Sequence, residues 1–239
     1  MPVYNEAQAV ESVIRSWAAE FNRLGISYEF LAYDDGSTDR TADVLRRAVR
    51  DVPQLVVQQH PNVGHGPTIS KGYREAAGTW VLQIDSDDEL TAAPFEQLWQ
   101  ARGDYDLLLG CRQDRRAPAA RRLITAGSRM VVRVLFGSGL WDVNTPCRLI
   151  RRSALTPLLE AIPPRAFAPN VIMSGLAIRN HLRILQIWVP FRTRRTGRGS
   201  VVGWRQWRAA FRSLIETVSV AVAGDRPPEH NVPVRHGAE

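Results

Sequence analysis

The sequence predicts one α/β domain built on a mostly parallel sheet with helices on both faces. Three observations predict it. Short apolar runs alternate with amphipathic helical segments through residues 1–110. Two acidic clusters, Asp34-Asp35 and Asp85-Ser86-Asp87-Asp88, directly follow apolar runs, and a parallel sheet places its ligand sites at such strand ends. A chain of 239 residues, 44% hydrophobic and 23% charged, is long enough and apolar enough for a sizeable core.

The elements follow in order. Val10, Val13, Trp17, Phe21 and Leu24 recur at helical spacing, so residues 6–24 read as a helix with Asn5 as its N-cap and Gly25 as its stop. Tyr28 to Tyr33 reads as a strand and runs into Asp34-Asp35-Gly36-Ser37-Thr38-Asp39. A helix over about 39–50 comes next, with Asp39 capping it and Ser37 shaping the turn. Gln54 to Gln58 is a short strand, Asn62 to Pro67 a loop in which Gly64 and Gly66 permit a tight turn, and Thr68 to Ala77 a helix. Trp80 to Ile84 is a strand ending at the second acidic cluster. A helix from Thr91 or Ala92 to Ala101 and a strand over Asp106 to Leu109 complete this half.

Beyond residue 112 the pattern loosens. Residues 118–136 read as a helix with Leu123, Val131, Val134 and Leu135 against Arg122, Arg129 and Arg133. Ile184 to Phe191 reads as a strand, 192–200 as an Arg/Gly-rich loop, and a helix from Trp204 carries Trp207, Phe211, Leu214 and Val218 on one face. Residues 1–223 are read as one domain with two halves, 1–110 and 111–223. The Pro-rich tail, 224–239, is expected to be disordered.

Charge separates the halves. Residues 1–110 carry 9 basic and 17 acidic side chains, net −8, and residues 111–239 carry 22 basic and 7 acidic, net +15. Lys71 is the one lysine, so every base in the second half is arginine, the side chain whose fork fits phosphate. An acidic part that holds a cation and a basic part that meets phosphates or anionic lipid is the implied division. The acidic half argues against a nucleic-acid partner. No apolar run approaches the roughly 20 residues that cross a bilayer, and the first residues do not read as a signal peptide. Cys111 and Cys147 form neither a CxxC pair nor a metal pattern, so reduced thiols and a cytoplasmic location are expected.

Four segments occur in a telling order: Pro2-Val3-Tyr4-Asn5-Glu6, Asp34 to Asp39, Asn62-Val63-Gly64-His65-Gly66, and Asp85-Ser86-Asp87. Gly110-Cys111-Arg112, Asp142 to Arg148 and Arg194 to Ser200 extend the set. Over roughly residues 1–200 the chain resembles the family 2 glycosyltransferases of GT-A fold, and most of all the polyprenol (dolichol) phosphate mannosyl- and glucosyltransferases. The resemblance implies a divalent cation, Mg²⁺ or Mn²⁺, held by Asp85, Asp87 and Glu89, with Asp87 a direct ligand. It implies a nucleotide-sugar donor, GDP- or UDP-linked, bound by Pro2, Tyr4, Glu6, Asp35, Asp85 and Ser86, which makes 1–110 the donor half and 111–223 the acceptor half. Arg112, Arg148 and Arg195 are the implied phosphate contacts, with Arg194 and Arg198 alternative registers for the last. Asp87 and Arg112 are the implied catalytic residues. His65 is read as structural.

The resemblance also implies inverting transfer. A hydroxyl acceptor needs a general base, yet no Asp or Glu occurs between Glu160 and Glu216, a stretch that includes the expected place, Phe167 to Ser174. A phosphate acceptor is already anionic at neutral pH, its second pKa being about 6. A polyprenyl-phosphate acceptor is therefore expected, with a glycan or glycolipid hydroxyl as the runner-up. Residues 118–136 and 204–218 are candidates for lying on a membrane surface, which makes the expected location peripheral on the cytoplasmic face. Family members usually carry a central apolar strand ahead of the Pro-Val-Tyr-Asn-Glu motif. Here that strand is expected to be missing, with neighbouring strand edges exposed and the nucleotide pocket loosened.

Overall fold

The computed structural model describes residues 1–112, 119–137, 140–191 and 204–223. In chain order the elements are β1 (Pro2–Val3), α1 (Val10–Arg23), β2 (Phe30–Asp34), α2 (Thr41–Asp51), β3 (Leu55–Gln59), α3 (His65–Glu75), β4 (Trp80–Gln83) and α4 (Phe95–Ala101). Then come β5 (Leu107–Arg112), α5 (Ala119–Phe136), β6 (Cys147–Arg151), α6 (Arg152–Ala161), α7 (Pro169–Arg179), β7 (Ile184–Val189) and α8 (Trp204–Ala223). The strands form two sheets, β1-β2-β3 and β4-β6-β5-β7. The β1–β2, β2–β3 and β5–β7 pairs are parallel, and β6 runs antiparallel between β4 and β5. The α/β class with helices on both faces is as expected.

Alternation along the strands divides the core. In β5, Leu108 packs with α1, α2 and α4, whereas Leu107, Leu109 and Cys111 face the cluster beneath α3 and α5–α8. In β6, Leu149 goes to the first cluster and Ile150 to the second. Strands buried on both faces read as unbroken apolar runs, as Leu107-Leu108-Leu109 does. In the first cluster Phe21 and Phe95 meet edge-on at 5.2 Å, with Trp17 and Tyr28 against Phe21.

Three features bear on the expectations. First, the opening motif itself supplies a two-residue strand, Pro2–Val3, paired in register with Tyr33 and Asp34. It reaches only the end of β2, and the two sheets do not join. A cavity of about 500 Å³ lined by β2 and β4 residues, Leu31, Tyr33, Trp80 and Leu82 among them, lies between them. Secondly, Asn5 does not cap α1, which starts at Val10. It takes a left-handed φ of 54° and accepts the Thr38 N–H at 2.8 Å through Oδ1, while its own N–H donates to Ser37. Thirdly, Gly66 is not a turn residue. It lies in the first turn of α3, where a Cβ would sit 2.2 Å from the Phe167 carbonyl oxygen. Gly64 does supply a positive φ, 98°.

The second half holds elements that the sequence pattern hides. In α7 residues 169–177 are all buried, so no polar face marks the helix. β6 carries Arg148 and Arg151, which disguise a central strand. Along α5 and α8, Leu123, Met130, Val134, Phe211, Ile215 and Val222 are exposed. No described helix is long and apolar enough to cross a membrane. The tail, 224–239, lies outside the described residues.

Candidate functional site

The carboxyl ends of β1, β2 and β4 and the amino end of α3 surround a cavity of about 460 Å³. Pro2, Val3, Tyr4 and Glu6 line it from β1 and its following loop, Asp35 from just past β2, Asn62, Gly64 and His65 from the approach to α3 and its first residue, and Asp85, Ser86 and Asp87 from the turn after β4. Residues from the four segments, distant in sequence, meet on one surface.

Backbone chemistry explains how. Asp34 is buried and accepts the Ser37 N–H at 3.0 Å and the Gln59 amide at 3.2 Å, which fixes the turn after β2. Gly36 turns with φ 71°, and a Cβ there would lie 2.7 Å from the Asn62 nitrogen, so the two loops approach only because it is glycine. Asp35 then clamps the second loop. Its two oxygens accept the N–H groups of Val63 at 2.7 Å and Gly64 at 3.0 Å, with His60 Nδ1 at 3.4 Å. Asp39 stands one residue ahead of Arg40, the N-cap of α2, and accepts the Thr41 N–H at 2.9 Å.

At the end of β4, Asp87 accepts the Glu89 N–H at 3.2 Å, and Asp88 holds a left-handed φ of 57° in the same turn. Asp85 Oδ1 accepts the Gln83 side-chain amide at 2.9 Å and faces His65 Nε2 at 3.7 Å. Tyr4 is about half exposed and presents its ring at the rim.

The sequence model of Glycosyl transferase family 2 matches residues 1–158. The chain belongs to that family. Among the relatives of this family 2 chain is the undecaprenyl-phosphate 4-deoxy-4-formamido-L-arabinose transferase of Pectobacterium carotovorum, 28% identical over 173 residues, 71% of this chain and 53% of that protein. The transferase of the same name from Pseudomonas paraeruginosa is 29% identical over 180 residues, covering 74% and 53%. The chain spans about half the length of these relatives. Among solved structures, glucosyl-3-phosphoglycerate synthase from Mycobacterium tuberculosis, in complex with Mn²⁺, UDP and phosphoglyceric acid, superposes with TM-score 0.70 at 17% identity, covering 92% of this chain and 76% of that one. Mannosyl-3-phosphoglycerate synthase from Rubrobacter xylanophilus gives 0.66 at 14% identity, with 98% and 76% covered. These likenesses confirm the fold.

Within this family 2 fold the implied site residues divide. Pro2, Tyr4, Glu6, Asp35, Asp85, Ser86 and Asp87 all line the cavity. Glu89 does not, and it meets Asp87 through its backbone. Among the described residues no three His, Cys, Asp or Glu side chains gather into a metal cage, and of Asp85, Asp87 and Glu89 the first two line the cavity. Two carboxylates still fit a hard divalent cation that is completed by substrate phosphates and water.

Arg112 ends β5 and makes a two-point pair with Asp142, Nε to Oδ2 at 2.8 Å and Nη2 to Oδ1 at 3.3 Å, beside the Phe191 ring. Burial pushes the Asp142 carboxyl up, but the Arg112 charge and hydrogen bonds outweigh it and hold the group below its ordinary value. Arg148 is a correction. It is fully buried, and its guanidinium donates to the Val143 and Thr145 carbonyls and, at 2.9 Å, to Ser174 Oγ, so it braces the fold and touches no ligand surface. Arg195, with Arg194 and Arg198, lies outside the described residues. Burial pushes both cysteine thiols up to about 12, which keeps them out of the chemistry.

Sequence reasoning missed Gln83, Asn170 and Tyr73, which are all buried. One signal was readable: in β4 the buried positions alternate, Val81 and Gln83, so an amide sits where the pattern demands an apolar residue. It also missed Glu216, which reaches from α8 to accept the Phe167 N–H at 2.6 Å, at the very stretch that lacks a carboxylate of its own.

Proposed function

We propose that the strand-end cavity binds a UDP-sugar with Mg²⁺ or Mn²⁺, and that the sugar passes with inversion to the phosphate of a polyprenyl-phosphate lipid. The observation that carries this reading is the meeting of Tyr4, Asp35, Asp85, Ser86 and Asp87 around one cavity in a family 2 fold. The relatives named for transfer to undecaprenyl phosphate support the acceptor, and the fold neighbour solved with Mn²⁺ and UDP supports the donor.

In this reading Asp85 and Asp87 hold the cation, which when bound would offset charge on the departing diphosphate. Tyr4 offers its ring to the base, and Pro2, Glu6, Asp35 and Ser86 shape the nucleoside pocket. Arg112, kept in orientation by Asp142, supplies positive charge toward the phosphates from the end of β5. The acceptor phosphate attacks without a base, being anionic already. The exposed apolar side chains of α5 and α8, with Arg129, Arg133, Arg208 and Arg212 on the same helices, suit a peripheral position at an anionic membrane face.

The test is incubation of the chain with Mn²⁺, a panel of UDP- and GDP-sugars and undecaprenyl phosphate, with mass detection of a lipid-linked sugar. Product from a UDP-sugar supports the proposal. Nucleotide release with no lipid product contradicts the acceptor.

A second reading rests on Glu216. A carboxylate brought to Phe167 could serve as general base toward a hydroxyl acceptor, though it is also paired with Arg212 at 2.8 Å. Loss of transfer in Glu216→Gln, with donor binding intact, would favour it.

A further inference from the structure

Three side chains in the middle of the protein form a continuous hydrogen-bonded line that ends on the cavity. The Tyr73 hydroxyl donates to Asn170 Oδ1 at 2.9 Å, Asn170 Nδ2 donates to Gln83 Oε1 at 3.0 Å, and Gln83 Nε2 donates to Asp85 Oδ1 at 2.9 Å. Tyr73, Asn170 and Gln83 are each about 96% buried, whereas Asp85 opens to the cavity. We propose that Gln83, Asn170 and Tyr73 are a buried positioning relay that sets the orientation of the Asp85 carboxylate toward the cation. The proposal rests on the donor-site reading above.

Directionality is the argument. An amide side chain can turn over, exchanging its donor and acceptor ends. Were Gln83 reversed, its oxygen would face the Asp85 carboxylate, an acceptor against an acceptor in a buried setting where unmade hydrogen bonds are costly. The Asp85 carboxylate only accepts, so it selects the sense in which Gln83 Nε2 donates to it, Asn170 Nδ2 donates to Gln83 Oε1, and the Tyr73 hydroxyl, which can donate or accept, donates to Asn170 Oδ1. Only one sense of the whole line suits an ionised Asp85.

The line is also anchored. Asn170 lies in the first turn of α7, and Ser174, one turn on, has its hydroxyl 2.9 Å from the Asn170 carbonyl and 2.7 Å from that of Val143. Ser174 accepts from the buried Arg148 guanidinium, which is itself fixed to the Val143 and Thr145 carbonyls. Register closes the arrangement, since Gln83 stands opposite Arg148 across the β4–β6 pair. The arginine that meets no phosphate thus fixes the helix whose asparagine reaches the cation carboxylate. Hydrogen-bond partners behind a metal ligand tune affinity by restricting its orientation. His65 Nε2 also faces Asp85 Oδ1, at 3.7 Å.

The experiment is Mn²⁺ binding in the presence of UDP, followed by the electron paramagnetic resonance signal of free Mn²⁺. It uses the full chain as wild type, Asp85→Asn, Gln83→Met, Tyr73→Phe and Val81→Ala. Gln83→Met is expected to raise the Mn²⁺ dissociation constant about ten- to hundredfold. Tyr73→Phe, two bonds further back, raises it about two- to tenfold. Val81→Ala trims the other buried position of β4 without touching the line, and it lowers the melting midpoint with unchanged Mn²⁺ affinity. Tyr73→Phe keeps the ring in place and carries the test should Gln83→Met fail to fold. If wild type binds and Asp85→Asn does not, but the relay variants stay within about twofold of wild type, the relay is overturned and the donor site stands. If wild type binds no Mn²⁺ with UDP, the donor-site reading falls and the relay falls with it.

Discussion

Asp85 and Arg148 sit a few residues apart across one pair of strands, yet their environments are opposite. Asp85 stands two residues past the end of β4 and faces a cavity, whereas Arg148 is the second residue of β6 and donates to carbonyls and a serine hydroxyl. The same contrast separates the halves. In the first half the carboxylates that line the cavity, Asp35, Asp85 and Asp87, stand past the ends of strands, where the backbone leaves the sheet. In the second half the arginine of the Asp142-to-Arg148 segment is drawn into the sheet and serves packing. Position along the strand, more than residue type, decides whether a charge faces the cavity or holds the fold.

Variants can break or sharpen that comparison. The largest effect on stability is expected at Arg148→Met, which leaves buried carbonyls of Val143 and Thr145 and the Ser174 hydroxyl without their donor. A loss of about 3 kcal/mol or more, read by urea unfolding, is the expected outcome. A change below about 0.5 kcal/mol would return Arg148 to the candidates for ligand contact.

Asp142→Asn comes next. It removes the charged partner of the part-buried Arg112, at a cost of about 3 kcal/mol at neutral pH. The sign with pH is fixed by the lowered carboxyl. The stabilisation by Asp142 is fully present above the unfolded-state value near 4 and is lost as pH falls through the lower folded-state value. Wild type should therefore lose stability below about pH 4 more steeply than Asp142→Asn. Parallel curves would show that the pair does not govern acid stability.

The smallest effect on the fold, and a selective one on binding, is expected at Tyr4→Ala. Tyr4 is half exposed, so the melting midpoint should hold, while UDP affinity measured calorimetrically falls about three- to tenfold. An unchanged affinity would remove the ring from the base site.

Much of this was legible in the sequence, unevenly. Strand–helix alternation and the acidic strand ends gave the α/β class and the cavity residues, because each signal is local: an apolar run, then carboxylates. Where legibility failed, the cause was long-range. Asn5 reads as a cap, but its side chain is claimed by the Thr38 N–H thirty-three residues away. Glu89 continues the acidic run, yet the turn at Asp88 leaves it off the cavity. α7 shows no amphipathic face because it is buried all round, so Asn170 in its first turn could not be assigned a partner. Arg148 looks like any arginine of a basic half until its strand neighbours are known.

The central claim is that Asp85 and Asp87 join a cation to the donor nucleotide. The most direct measurement is thermal unfolding of wild type and Asp87→Ala with Mn²⁺, with UDP, and with both. A ligand at a hundred times its dissociation constant stabilises the native state by about 2.7 kcal/mol. The account predicts a clear rise of the wild-type midpoint that needs Mn²⁺ and UDP together, and none in Asp87→Ala. An equal rise in both proteins, or no rise in a cooperatively unfolding wild type, would contradict it.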